Sequence, residues 1–102
     1  MQLLIYINKA EELTGSRKAL ALALKLNANQ ITDSKAGRNG LPGFACVKLA
    51  QLIGEDERRV IAASELVTEK NPERRAVWLP FVQEIAEAAS NRNARTPGIS
   101  NL

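Results

Sequence analysis

Histidine is absent from this chain of 102 residues, and cysteine occurs once, at Cys46. A single thiol excludes an intrachain disulfide, and with no histidine beside it no zinc site is expected. A reducing cytoplasm fits this usage. Aromatic residues make up only 4% of the chain, although 45% of it is apolar. A core drawn mainly from Leu, Ile, Val and Ala suits packed helices better than a β-sandwich. Long hydrophobic runs are missing too: no stretch approaches the roughly 20 apolar residues of a membrane span. The opening run Leu3-Leu4-Ile5-Tyr6-Ile7 lacks a basic flank and a small-residue cleavage site, so it is not read as a signal peptide. There is no glycine-rich phosphate loop. Glu84 and Glu87 fall on the polar side of the last helical stretch, and no partner makes either a catalytic dyad. Cys46 lies on an apolar helical stripe and reads as a core thiol, not a nucleophile. No enzyme activity, cofactor or metal is expected.

What is present is positive charge, and it is unevenly placed. Residues 16–53 hold Arg17, Lys18, Lys25, Lys35, Arg38 and Lys48 against Asp33 alone, within a chain of formal net charge +3. From residue 54 onward, seven basic side chains meet eight acidic ones. A basic first half suits a polyanionic partner, although a lysine-rich surface kept for solubility would give the same counts.

Punctuation divides the chain into short helices. Asn8 with Glu11 has the spacing of a capping box and predicts a first helix over residues 9–14, ended by Gly15. The Leu3–Ile7 run ahead of it is open between a short strand, an extended lead-in and an extension of that helix. Ser16 caps a second helix over 17–25, with Leu20, Ala23 and Leu24 on one face. Asn27 with Gln30 is a second capping box and starts a third helix over 28–36, closed by Gly37. Residues 38–42 form a loop, since two glycines and a proline fall close together. A fourth helix over 43–53 carries Cys46, Leu49, Ala50 and Ile53 on one face and ends at Gly54. Asp56 caps a fifth over 57–69, with Val60, Ile61, Ser64 and Val67 inward. Asn71-Pro72 opens a sixth. Pro80 removes a backbone donor inside it, so a kink or break is expected between Ala76 and Pro80. Phe81, Val82, Ile85 and Ala89 then repeat with helical spacing. The last residues, 91–102, show no periodicity and are expected to be a mobile tail.

The stretch from Leu20 to Pro42, LALALKLNANQITDSKAGRNGLP, resembles the helix-turn-helix of the lambda-type Cro and repressor (XRE-like) family. Leu20, Ala21, Leu24, Leu26, Asn27, Ile31, Thr32, Gly37 and Pro42 fall in matching positions without insertion. The phrases INKAEELTGS, GRNGLP and ACVKLAQLIGEDERRVIAASE are similar to small helix-turn-helix proteins associated with filamentous phages. Two positions depart from the pattern. Lys25 stands where the turn usually has glycine, and Ser34 where the recognition helix often has tryptophan.

The resemblance implies an all-α fold. A five-helix, lambda-repressor-like helix-turn-helix domain would span residues 1–70, and a C-terminal helical extension 71–90. It implies a sequence-specific regulator of transcription, a phage or prophage repressor, working on double-stranded DNA in the cytoplasm of a bacterial host, at its nucleoid. The third helix would enter the major groove, which is wide enough for one helix. Ala28, Asn29, Gln30, Thr32 and Asp33 would then meet bases, the alternative being a solvated polar face. Ser16, Arg17, Lys18, Lys35, Arg38 and Asn39 would meet phosphates. Trp78, Phe81, Val82 and Ile85 either fold back on their own domain or form a homodimer interface. A dimer suits a palindromic site. The competing reading on the same fold is a protein-interaction module, an antirepressor or an antitoxin. Neither a membrane nor a small-molecule substrate is expected as a partner.

Overall fold

The computed structural model describes residues 1–82, and every regular element in that span is a helix. In chain order these are α1 (Gln2–Thr14), α2 (Arg17–Leu24), α3 (Ala28–Lys35), α4 (Gly43–Ile53) and α5 (Glu57–Thr68). A sixth, α6, occupies residues 72–82 of the described chain. Among the described residues no helix is long and apolar enough to cross a membrane.

The periodicity of α1 decides its length. Leu3, Tyr6, Ile7 and Ala10 are all buried, and their spacing of 3, 4 and 7 marks one helical face. That stripe runs straight through Asn8, which is exposed mid-helix. The capping box expected at Asn8 and Glu11 therefore does not form, and the opening apolar run is the first half of α1. Gly15 ends the helix in the left-handed conformation, at φ 100°.

α1 packs against α2, α3, α4 and α5 and so lies at the centre of the bundle. Leu20 and Leu24 from α2, Ile31 from α3, Leu49 from α4 and Val60 from α5 are fully buried around it. The α2 stripe differs from expectation by one position. Ala21, not Ala23, is buried beside Leu20 and Leu24, because the neighbours cover the 20/21/24 side of the helix. The stripe of α4 is as the spacing predicts: Cys46, Leu49, Ala50 and Ile53 are buried, and Gly54 ends the helix at φ 72°.

The Asp56 carboxylate caps α5 by accepting from the Arg58 N–H at 2.8 Å. α5 has no glycine at its far end. Arg75, reaching back from α6, donates instead to the carbonyls of Leu66 (2.9 Å) and Glu69 (2.7 Å). Asn71 caps α6 through the N–H groups of Glu73 and Arg74, with Pro72 at the first helical position. The helix continues through Pro80 to residue 82, so of the kink or break expected between Ala76 and Pro80, the break does not occur. The carbonyl that Pro80 leaves without its helical donor belongs to Ala76, an exposed residue. Val82 packs against the core. Trp78 and Phe81 form a tilted ring pair, centroids 6.3 Å apart, beside Ile61 and Arg58. Part of the C-terminal apolar stripe is thus covered by its own domain. Glu84, Ile85, Glu87, Ala89 and the tail lie outside the described residues.

Candidate nucleic-acid interface

A three-residue turn, Lys25-Leu26-Asn27, separates α2 from α3. It forms because α2 ends in a Schellman motif. The N–H of Leu26 donates to the Ala21 carbonyl at 2.9 Å, and the N–H of Lys25 donates to Leu22 at 3.2 Å. This closure needs a left-handed residue, and Lys25 supplies it at φ 61°, ψ 39°. It is the only non-glycine with positive φ among the described residues. Leu26 then turns inward against the core. Asn27 caps α3: its side chain accepts from the Gln30 N–H at 2.9 Å, while Gln30 Oε1 accepts from the Asn27 N–H at 3.0 Å.

α3 buries Ile31 and Ser34, turns Lys35 toward α1, and faces its other positions outward. Ala28, Asn29 and Gln30 are exposed at its N-terminal end, with Thr32 and Asp33 half-buried one turn on. The five residues expected to meet bases thus share one surface. Their side chains are not equally free. Half of the Gln30 amide is used in the capping box, so only its N–H₂ group remains. Thr32 donates to the Ala28 carbonyl at 3.0 Å and accepts from Arg17 Nη1 at 2.9 Å. Asp33 pairs with Arg38 at 3.0 Å.

The residue that organises this surface is Glu11, for which the sequence suggested only a capping role. Its Oε2 accepts from Arg17 Nε at 3.0 Å and its Oε1 from Lys35 Nζ at 2.7 Å. One carboxylate on α1 therefore holds the first residue of α2 and the last of α3. Burial works against its charge, but the hydrogen bonds from Lys35 and Arg17 prevail and hold the Glu11 carboxyl below its ordinary range. Arg17 continues the chain of contacts to Thr32, joining all three helices.

The residues expected at phosphates fall into two groups. Lys18 and Asn39 are exposed, and Lys18 forms no ion pair among the described residues. Ser16 is exposed, but its hydroxyl accepts from the Ala19 N–H at 3.0 Å as the cap of α2. Arg17, Lys35 and Arg38 are each already paired with a carboxylate. Lys35 departs furthest from expectation: it follows Ile31 by one turn, so it points toward α1, and its side chain is only 20% exposed.

The loop after α3 is fixed from behind. Gly37, at φ 80°, closes α3, and the Arg38 N–H donates to the Asp33 carbonyl at 2.9 Å. Ser34 Oγ donates to the Gly40 carbonyl at 3.3 Å. Ser64 on α5 accepts from the Leu41 N–H at 2.7 Å and donates to the Leu41 carbonyl at 3.1 Å. Gly40 passes so close to α5 that a Cβ on it would lie 2.5 Å from the Ser64 carbonyl oxygen. Ser34 thus helps seat the loop. Cys46 is buried and its thiol is pushed up by that burial, as suits a core residue.

No protein-family model, no curated protein and no solved structure matches this chain.

Proposed function

We propose that this chain is a sequence-specific regulator that binds double-stranded DNA, with α3 in the major groove. The observation that carries the reading is the exposed row Ala28, Asn29 and Gln30 at the start of an eight-residue helix, held at a three-residue turn by a left-handed Lys25. Residues near the N-terminus of such a helix are the ones that reach base edges. Asn29 can bond bidentately to adenine, and the Ala28 methyl suits the thymine methyl. Lys18, Asn39 and the N-terminus of α2 supply contacts to the phosphate walls. In this reading two copies act together, their recognition helices about 34 Å apart on a palindromic site. The half-buried Trp78 and Phe81 supply the apolar surface through which they meet, and the regulator is a phage or prophage repressor.

A second reading, a protein-interaction module on the same fold, draws on the ion pairs that occupy Arg17, Lys35 and Arg38. Selection from a randomised duplex pool, followed by anisotropy titration, separates the two. DNA binding requires enrichment of a consistent site and an affinity that falls linearly with salt on a log–log scale. A chain that binds no duplex even at low salt would favour the interaction module.

A further inference from the structure

Asp33 and Arg38 are tied together twice. The Schellman closure at Gly37 brings the Arg38 N–H to the Asp33 carbonyl at 2.9 Å, and the guanidinium then meets the carboxylate at 3.0 Å. The backbone therefore presents the ion pair ready-made, at the edge of the surface assigned to bases. Both side chains remain open to solvent, Arg38 at 65% and Asp33 at 41%, so the pair can open. Resting on the proposed DNA-binding reading, we infer that Asp33 is a specificity-determining residue that acts as the internal counter-ion of Arg38.

An unpaired carboxylate on this face would repel every phosphate near it. Paired with Arg38 it does not, but Arg38 is then unavailable to phosphate. On random DNA nothing replaces the guanidinium at Asp33, so the pair stays closed and Arg38 releases no counter-ion. On a site that presents a cytosine N4 amino group to Asp33, that donor satisfies the carboxylate. Arg38 is then free to reach the backbone. One residue pair thereby couples a base identity to a phosphate contact and withholds that contact from other sequences.

The test is the salt dependence of binding to two probes, a random-sequence duplex and the tightest duplex the unmutated chain selects from a randomised pool. For the unmutated chain, the log–log slope should be steeper on the selected duplex by about 0.9, the value of one neutralised phosphate. Asp33→Asn keeps the shape and removes the charge. It should steepen the random-duplex slope by about 0.9 and raise random-duplex affinity several-fold, while the preference for the selected duplex shrinks. Asp33→Ser serves as a second variant, and thermal melts confirm that each is folded. If the unmutated chain binds DNA but both variants leave the random-duplex slope and affinity unchanged, the inference fails alone. If no duplex binds any of the three proteins, the DNA-binding reading fails and takes the inference with it.

Discussion

Lys25 is where the local rule and the global fold disagree. A lysine in the left-handed region is strained, yet the turn between α2 and α3 requires that conformation. Relief of strain worth roughly 1–2 kcal/mol outweighs the extra unfolded-state freedom of a glycine, about 0.4–1 kcal/mol. Lys25→Gly should therefore stabilise the fold by about 0.5–1 kcal/mol, a rise in Tm of a few degrees by calorimetry. A fall in Tm would contradict the strain. Gly40 is the converse case. Its φ is unremarkable, but the Ser64 carbonyl occupies the place of a Cβ. Gly40→Ala should destabilise by about 1–3 kcal/mol in urea unfolding, since backbone on both sides must move. Tyr6 offers a third residue-level contrast. Its hydroxyl is buried without a well-formed hydrogen bond, and Gln2 is the side chain that interacts with it. Burial pushes its pKa up.

Among elements, the ends were more legible than the ties between them. The Asn27–Gln30 box, the Ser16 cap and the glycines at 15, 37 and 54 are local signals, and each ends or starts a helix where its chemistry requires. The Asn8–Glu11 pattern has the same local form and fails, because the apolar stripe Leu3-Ile7-Ala10 carries the helix past it. Periodicity over two turns outweighs one cap, since burying Leu3 and Ile7 is worth about 1.5–3 kcal/mol each and a cap about 1 kcal/mol. The outward row of α3 was legible through the helix-turn-helix resemblance and an inward Ile31, whereas the burial of Ser34 was not. The role of Glu11 was not, because its partners Arg17 and Lys35 come from two other helices and no period links them. A trace of it exists in Lys35, one turn after the buried Ile31.

The tie has a pH signature. Glu11 titrates lower in the folded chain than in the unfolded one. Its contribution is therefore present above the ordinary carboxylate range and is lost as pH falls through the folded value. Glu11→Gln should cost about 1–3 kcal/mol at neutral pH. The gap to the unmutated chain should close as pH drops below about 4, as followed by chemical denaturation across pH. A gap that is constant with pH would show that the ion pairs contribute nothing.

For the molecule as a whole, the charge asymmetry seen in the sequence is tempered by the fold. Of the six basic residues between positions 16 and 53, three face a carboxylate within 3.0 Å. The number of phosphates neutralised per chain should thus be smaller than a count of cations suggests. Assembly is a separate question with its own measurement. Sedimentation at micromolar concentration should show a dimer, and Phe81→Asp should shift it toward monomer. Val82 is a poor choice for that test, because it packs on its own core.

The claim that α3 reads bases is tested most directly by Asn29→Ala, an exposed position that nothing in the fold depends on. Affinities of the unmutated and substituted chains should be measured by anisotropy, at one salt concentration, on the selected duplex and on a random-sequence duplex. The account requires a loss of about 1–3 kcal/mol on the selected duplex and almost none on the random one. Equal losses on both duplexes, or no loss on either, would contradict it.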